Sequence, residues 1–301
     1  MRLLKNTENP DRKNLTMYTT LISVPQLQTL MADQRPVMIF DCSFELMQPA
    51  AGDAQYVESH IAGAMRANVD LHLSCSDTGE AASGGRHPLP SRESFAAWLR
   101  SVGFRNDMQA VVYDRQGVNY CGRLWWMLKW AGHEAVAVLD GGWQAWQAAG
   151  GAVQSGPQAT PEASDFRLLP SAATLIDAGT VLRQLGRPGQ TILDARAEPR
   201  YRGEVEPLDP VAGHIPGALN RPFATNLGAD GRFKPAEQLR AEFEALLAGR
   251  DPSSVVHHCG SGVSALPNLI AMEVAGLGRT ALYGGSWSDW CSDRSRPVAQ
   301  G

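Results

Sequence analysis

The 301-residue sequence predicts two copies of one α/β domain, each a mainly parallel sheet flanked by helices. Three observations predict it. Short apolar runs of strand length alternate with segments of helical periodicity. Four landmarks then recur in the same order. Thr191-Ile-Leu-Asp194 repeats the strand ending at Asp41, and Gly213-His-Ile-Pro-Gly-Ala218 repeats His60-Ile-Ala-Gly-Ala64. Val255-Val256 and its loop repeat Val111-Val112 and its loop, and Leu282 to Trp290 repeats Leu139 to Trp146. Finally, Ala148 to Pro170 is rich in Gly, Ala, Gln, Ser and Pro and reads as a connection between the copies. The expected organisation is a disordered N-terminus over 1–17, a first domain over 18–148, a linker over 149–170 and a second domain over 171–301.

In chain order, Leu21 to Asp33 reads as a short helix and Pro36 to Asp41 as a strand. An irregular polar segment follows Ala64 and runs to Pro90. Ser91 caps a helix reaching Val102, with Glu93 in its first turn. Ala110 to Asp114 is a buried strand, Arg115 to Asn119 a loop and Tyr120 to Ala131 a helix. Ala135 to Leu139 is a strand, and Asp140-Gly-Gly-Trp143 leads into a short helix. The second copy repeats this order, and its strand at Val255 passes through a glycine-spaced loop into a helix from Leu266 to Gly276.

The formal net charge of −4 offers no basic face, so no nucleic-acid partner is expected. Five scattered cysteines with no C-x-x-C pair suit reduced thiols in a cytoplasm-like compartment better than a disulfide framework. The N-terminal segment lacks the apolar stretch of a signal peptide, and Met17 is an alternative start. No run is long enough to span a membrane. The oligomeric state is open.

The chemistry concentrates at Cys259-Gly-Ser-Gly-Val-Ser264. A cysteine at a strand-to-helix turn faces converging backbone N–H groups and a helix dipole, which favour the thiolate. Gly260 and Gly262 let the backbone curl close to a ligand. Against this stands the plain alternative that a lone cysteine is a small buried hydrophobe. His257 and His258 suggest a metal at first sight, but neighbours on a strand point to opposite faces, so their joint coordination of a metal is not expected; no organic cofactor is expected either.

With its two copies and its Cys259-Gly-Ser-Gly-Val263 loop, the chain resembles the tandem-rhodanese-domain sulfurtransferases. This family includes the thiosulfate and 3-mercaptopyruvate sulfurtransferases. Asp194-Ala-Arg196, Arg200-Tyr-Arg-Gly203, Gly213-His-Ile-Pro-Gly217 and Gly284-Gly-Ser-Trp287 fall in the family's order, over roughly Leu21 to Pro297. The resemblance implies that Cys259 takes a sulfane sulfur from a small donor as a persulfide and passes it to a thiol or cyanide. N–H groups of Gly260, Ser261, Gly262, Val263 and Ser264 would cradle that anion. In the first copy the matching position is Asp114 or Arg115, so that copy is expected to be catalytically silent and to close the site, with Cys259 at the floor of an interdomain pocket.

The thiosulfate-type loop of the family carries cations, whereas Gly260 and Ser261 are uncharged, which favours 3-mercaptopyruvate; thiosulfate remains the alternative donor. The resemblance further implies that His87 approaches Ser261 with an aspartate behind it. Asp70 is the nearest match for that aspartate, and His72 competes with His87. Arg200 matches the residue that holds the donor's carboxylate, with surface pairing to Glu204 or Glu206 as its plain alternative. A second arginine expected after it is replaced by the acidic stretch Glu204 to Pro210. A cysteine phosphatase would need an arginine where Ala265 stands. A persulfide carrier fed by a partner protein is the competing non-enzymatic class.

Overall fold

The computed structural model describes residues 17–77 and 79–301, so the N-terminal expectation over residues 1–16 lies outside the described residues. The first half contains strands β1 (Leu21–Ile22), β2 (Val37–Asp41), β3 (His60–Ile61), β4 (Met65–Arg66), β5 (Gln109–Tyr113), β6 (Val136–Leu139) and β7 (Val153–Gln154). The second contains β8 (Thr174–Ile176), β9 (Thr191–Asp194), β10 (Leu219–Asn220), β11 (Val255–His258) and β12 (Ala281–Tyr283). Two five-stranded sheets form, in the orders β1-β6-β5-β2-β4 and β8-β12-β11-β9-β10, and every pairing in both is parallel. The identical order is the duplication seen in the landmarks. β5 and β11 are central and buried along their length, which is why they read as continuous apolar runs.

The helices are α1 (Val24–Ala32), α2 (Ala51–Glu58), α3 (Arg92–Ser101), α4 (Cys121–Trp130), α5 (Gly142–Ala148), α6 (Ala178–Arg183), α7 (Glu198–Arg202), α8 (Ala236–Leu247), α9 (Leu266–Val274) and α10 (Ser286–Trp290). The expected helix over Leu21–Asp33 is corrected at its start. Leu21-Ile22 pairs with β6 as an edge strand, and the helix begins after Ser23, whose side chain and Gln26 form a reciprocal capping box with Pro25 in the first turn. A two-residue strand carries no periodicity that a sequence could reveal. The connection between the halves is also partly built in. β7 pairs antiparallel with β3, and Phe166 is buried against Phe104.

One apolar core runs through both halves. It is joined where α4 crosses α9, and a Cβ on Gly122 would lie 2.9 Å from that of Leu266, so glycine permits the close approach. Lys129 of α4 pairs with Glu273 of α9 at 2.7 Å, and Arg279 with Glu134 at 2.6 Å, so charges cross the seam at its edge. The helices that follow the two central strands thus back onto each other, setting the loops at their N-termini on a shared seam.

Candidate active site

Cys259 stands at the carboxyl end of β11, where parallel sheets present ligand sites. The start of its loop is pinned to α10. Cys259 N–H donates to Ser286 Oγ at 3.1 Å, while the carbonyls of Cys259 and Gly260 accept from Trp287 N–H (3.0 Å) and Ser288 N–H (2.8 Å). Gly262 has φ +75°, and a Cβ there would collide with the Gly284 carbonyl, so only glycine turns the chain at this point. Among the described residues, none of the N–H groups from Gly260 to Ser264 has a protein acceptor. Five donors at a helix N-terminus are therefore left for an anion.

The first half shows the same cradle filled. Asp114 follows β5 as Cys259 follows β11, and α4 and α9 each begin seven residues later. Asp114 Oδ1 accepts from the N–H groups of Gln116 (3.0 Å) and Val118 (2.9 Å), and Oδ2 from those of Tyr120 (2.8 Å) and Cys121 (2.9 Å). Burial pushes this carboxyl upward, and the four N–H bonds oppose that by favouring the ionised form. The choice left open between Asp114 and Arg115 thus falls to Asp114. Arg115 instead lies against the Trp143 ring, 4.1 Å from its centroid.

The structure brings Ser261, His87 and Asp70 together across the seam. His87 Nδ1 lies 2.7 Å from Ser261 Oγ, and His87 Nε2 lies 3.5 Å from Asp70 Oδ1, longer than an ordinary hydrogen bond. Burial, followed by the charges of Arg123 and Arg86, lowers the His87 pKa to about 4, so its imidazole is neutral at pH 7. Burial raises the Asp70 carboxyl. His72 does not join them. Its Nδ1 accepts from Asn68 N–H at 3.0 Å and its ring stacks on Trp98, so it belongs to the first half's own packing.

Arg200 projects from α7 to the cysteine loop, its Nη1 lying 3.5 Å from where a Gly260 Cβ would stand. It pairs with Glu206 (2.6 Å) and Asp209 (3.4 Å), both buried, whereas Arg202 pairs with Glu198 and Glu204 at the surface. Two arginines of the first half were not singled out from the sequence. Arg86 Nη2 lies 3.4 Å from the same Gly260 Cβ position. Arg123 is fully buried and donates to the carbonyls of Leu73 (2.8 Å), Gly262 (2.9 Å) and His87 (2.7 Å), tying the histidine segment to the cysteine loop. Burial lowers its pKa to about 10, against the opposing charges of Cys259 and Asp70, so it stays a cation at neutral pH. A charge inside the apolar helix Cys121–Trp130 was the available signal for Arg123.

Cys259 is only 2% exposed, so it is not on the floor of an open pocket as expected. A cavity of about 220 Å³ opens along the same seam between Ser83-Gly84 and Gly285-Asp289, but Cys259 does not line it. His257 and His258 do not converge. Neither ring nitrogen of His257 has a partner among the described residues, while His258 Nε2 faces Asp194 at 3.6 Å. His214 Nδ1 lies 2.8 Å from the Tyr201 carbonyl and the two rings stack, as His60 and Tyr56 do in the first half. Trp287 and Trp290 are fully buried.

A sequence profile of the rhodanese-like domain matches residues 23–149 and 177–293. The chain therefore belongs to the rhodanese-like family, in its two-domain form, and it is a sulfurtransferase. The probable 3-mercaptopyruvate sulfurtransferase of Pseudomonas aeruginosa is 46% identical over 282 residues, spanning 93% of this chain and 98% of that protein. The thiosulfate sulfurtransferase of Bos taurus is 35% identical over 241 residues, 78% of either chain. Among solved structures, SseA from Escherichia coli, described as having the rhodanese fold, superposes with a TM-score of 0.77 at 30% identity, covering 90% of this chain and 100% of that one. Among the described residues no helix is long and apolar enough to cross a membrane.

Proposed function

We propose that this sulfurtransferase moves sulfur from 3-mercaptopyruvate, through a persulfide on Cys259, to a small thiol or cyanide. The observation that carries this is the set of loop N–H groups behind Cys259 that have no protein acceptor among the described residues, in a fold whose other copy gives the matching groups to the Asp114 carboxylate. An anionic persulfide suits the first as a carboxylate suits the second.

In the first half-reaction the Cys259 thiolate attacks the donor's sulfur. The S–S bond forms, the donor's C–S bond breaks, and the electron pair leaves on carbon as the enolate of pyruvate. The donor's thiol proton ends on that carbon, giving pyruvate and an anionic persulfide. Ser261 is assigned the proton relay, supported by its Oγ lying 2.7 Å from Nδ1 of the neutral His87 ring and by Asp70 facing the far ring nitrogen. In the second half-reaction cyanide or a thiolate attacks the outer sulfur, the S–S bond breaks, and the Cys259 thiolate returns. Arg200 is assigned to the donor's carboxylate, and the loop N–H groups from Gly260 to Ser264 to the persulfide. No cofactor enters these steps. The first half is assigned no chemistry of its own beyond the groups it lends across the seam, and the compartment is assigned as cytoplasmic.

Thiosulfate is the second reading, favoured by the three arginines, Arg86, Arg123 and Arg200, gathered around an uncharged loop. The test is sulfur release to cyanide by the purified protein, with both donors in parallel and Cys259→Ser as control. Preference for 3-mercaptopyruvate is expected. Preference for thiosulfate would reassign the donor, dependence on a partner protein would point to a carrier, and activity surviving in Cys259→Ser would overturn the assignment of the nucleophile.

A further inference from the structure

We propose that Arg86 is the second donor-binding cation, and that Asp209 holds Arg86 and Arg200 as two jaws of one carboxylate clamp. The inference rests on the donor being a keto acid with a carboxylate.

The clamp is built from both halves. Arg86 lies in the irregular segment of the first half before α3, and Arg200 in α7 of the second. The Asp209 carboxylate joins them, with Oδ1 2.6 Å from Arg86 Nη1 and Oδ2 3.4 Å from Arg200 Nη2. Glu206 adds a two-toothed contact to Arg200, at 2.6 Å to Nη2 and 3.3 Å to Nε. Both acids are almost entirely buried, at 3% and 4% exposure, although they sit on a stretch without helix or strand between Arg202 and Gly213. Buried carboxylates in a loop need partners, and the guanidinium groups supply them.

What matters is which edges remain free. Asp209 takes Arg86 Nη1 and Arg200 Nη2. The nitrogens nearest Gly260 include Arg86 Nη2 at 3.4 Å and Arg200 Nη1 at 3.5 Å from its Cβ position, and neither of these donates to a protein acceptor among the described residues. Arg86 Nε is likewise buried without a partner. The unused donors therefore face the residue next to Cys259, and the clamp assigns the keto acid's carboxylate to that space. A side chain at Gly260 would enter that space. The acidic stretch that stands where a second arginine was expected is thus the mount of the clamp, and the second arginine comes from the other half.

Glu206 also meets Arg196 at 3.3 Å, and Arg196 pairs with Asp194 at 2.8 Å, so three acids face three arginines and the clamp offers hydrogen-bond donors with little net charge. That suits one carboxylate better than the dianion of thiosulfate. Asp209 is a positioning residue, and Arg86 a binding residue.

The test uses the full chain and two donors, 3-mercaptopyruvate and mercaptoacetone, which carries the same reacting carbons without the carboxylate. Arg86→Met should lower kcat/KM for 3-mercaptopyruvate about tenfold or more, mostly through KM, as loss of a charge-assisted hydrogen bond implies. It should leave the value for mercaptoacetone within about twofold. Arg86→Lys, which keeps the charge but loses the fork, should fall between. Asp209→Asn should move the ratio of the two donors in the same direction as Arg86→Met. If it instead tightens 3-mercaptopyruvate, Asp209 is a competitor and not a mount. Equal losses with both donors, or parent-like kinetics in Arg86→Met, would overturn the clamp. A parent enzyme that ignores 3-mercaptopyruvate would overturn the donor assignment itself and the clamp with it. Matching thermal unfolding curves for parent and variants check that each has folded.

Discussion

Asp114 and Cys259 occupy the same position of the duplicated fold. Each ends a central strand, and each carbonyl accepts a backbone N–H from an equivalent tryptophan, Trp143 at 3.1 Å and Trp287 at 3.0 Å. One copy spends its cradle on its own carboxylate and the other keeps it free. The same backbone thereby binds a structural anion in one half and leaves its loop donors without a protein acceptor, among the described residues, in the other.

Asp114→Asn should destabilise the protein without altering its chemistry. Four N–H groups converge on the two carboxylate oxygens, and an amide offers one oxygen and brings unwanted donors. A loss of about 2 kcal/mol is expected, because buried donors are left unsatisfied. Urea unfolding measures it, and kcat/KM per folded molecule should stay close to the parent's.

Ser261→Ala should separate the donors. Breaking the C–S bond of 3-mercaptopyruvate leaves a carbon that needs a proton, whereas thiosulfate releases sulfite without one. Turnover with 3-mercaptopyruvate should fall by roughly a hundredfold, the usual contribution of positioned proton transfer. Turnover with thiosulfate should change far less. Equal losses with both donors would remove Ser261 from the proton path.

The depressed pKa of His87 makes acid stability a readout of the seam. Folding holds the imidazole neutral down to about pH 4, while the unfolded chain takes up the proton near the ordinary 6.5. The unfolded state therefore binds more protons in this window, and stability is full above pH 6.5 and declines as pH falls toward 4. The shift corresponds to roughly 3 kcal/mol. His87→Asn should flatten that part of the stability curve, measured by urea unfolding between pH 7 and 4. His257, lowered to about 3 by burial, then by the charge of His258, acts in the same direction and remains in the variant.

Arg123→Met should cost more than any surface arginine. It leaves three carbonyls from three segments, Leu73, His87 and Gly262, without their donor in a buried place. A loss of about 3 kcal/mol or more is expected. Because two of those carbonyls belong to the His87 and Cys259 segments, kcat should fall as well, which steady-state kinetics at a temperature well below unfolding would register.

Much of this protein was legible in its sequence because the code for it is local. Strand-length apolar runs, Ser91 before a helix and Gly262 at a turn that needs positive φ each act on near neighbours, and their repetition exposed the duplication. The nucleophile candidate was legible for the same reason, since a strand, a glycine-spaced loop and a helix define the place of Cys259. Leu21-Ile22 escaped because a two-residue edge strand exists only through its partner β6. His87 and Ser261 are 174 positions apart, and no periodicity links them; only the family resemblance set them side by side.

The sequence by itself determined two α/β halves, the order of their elements, and which half carries a cysteine at the end of its central strand. Tertiary structure decided everything that depends on the seam. Packing α4 against α9 sets the two loops on one line, and closing the halves brings Arg86, His87 and Arg123 to the loop of Cys259. It also selects His87 over His72, which the first half keeps for its own stacking against Trp98. It turns the acids Glu206 and Asp209 from an apparent defect into the mount of two arginines. The physical reason is that hydrogen bonds and ion pairs act over a few ångströms, and only the folded chain brings residues so far apart in sequence within that reach.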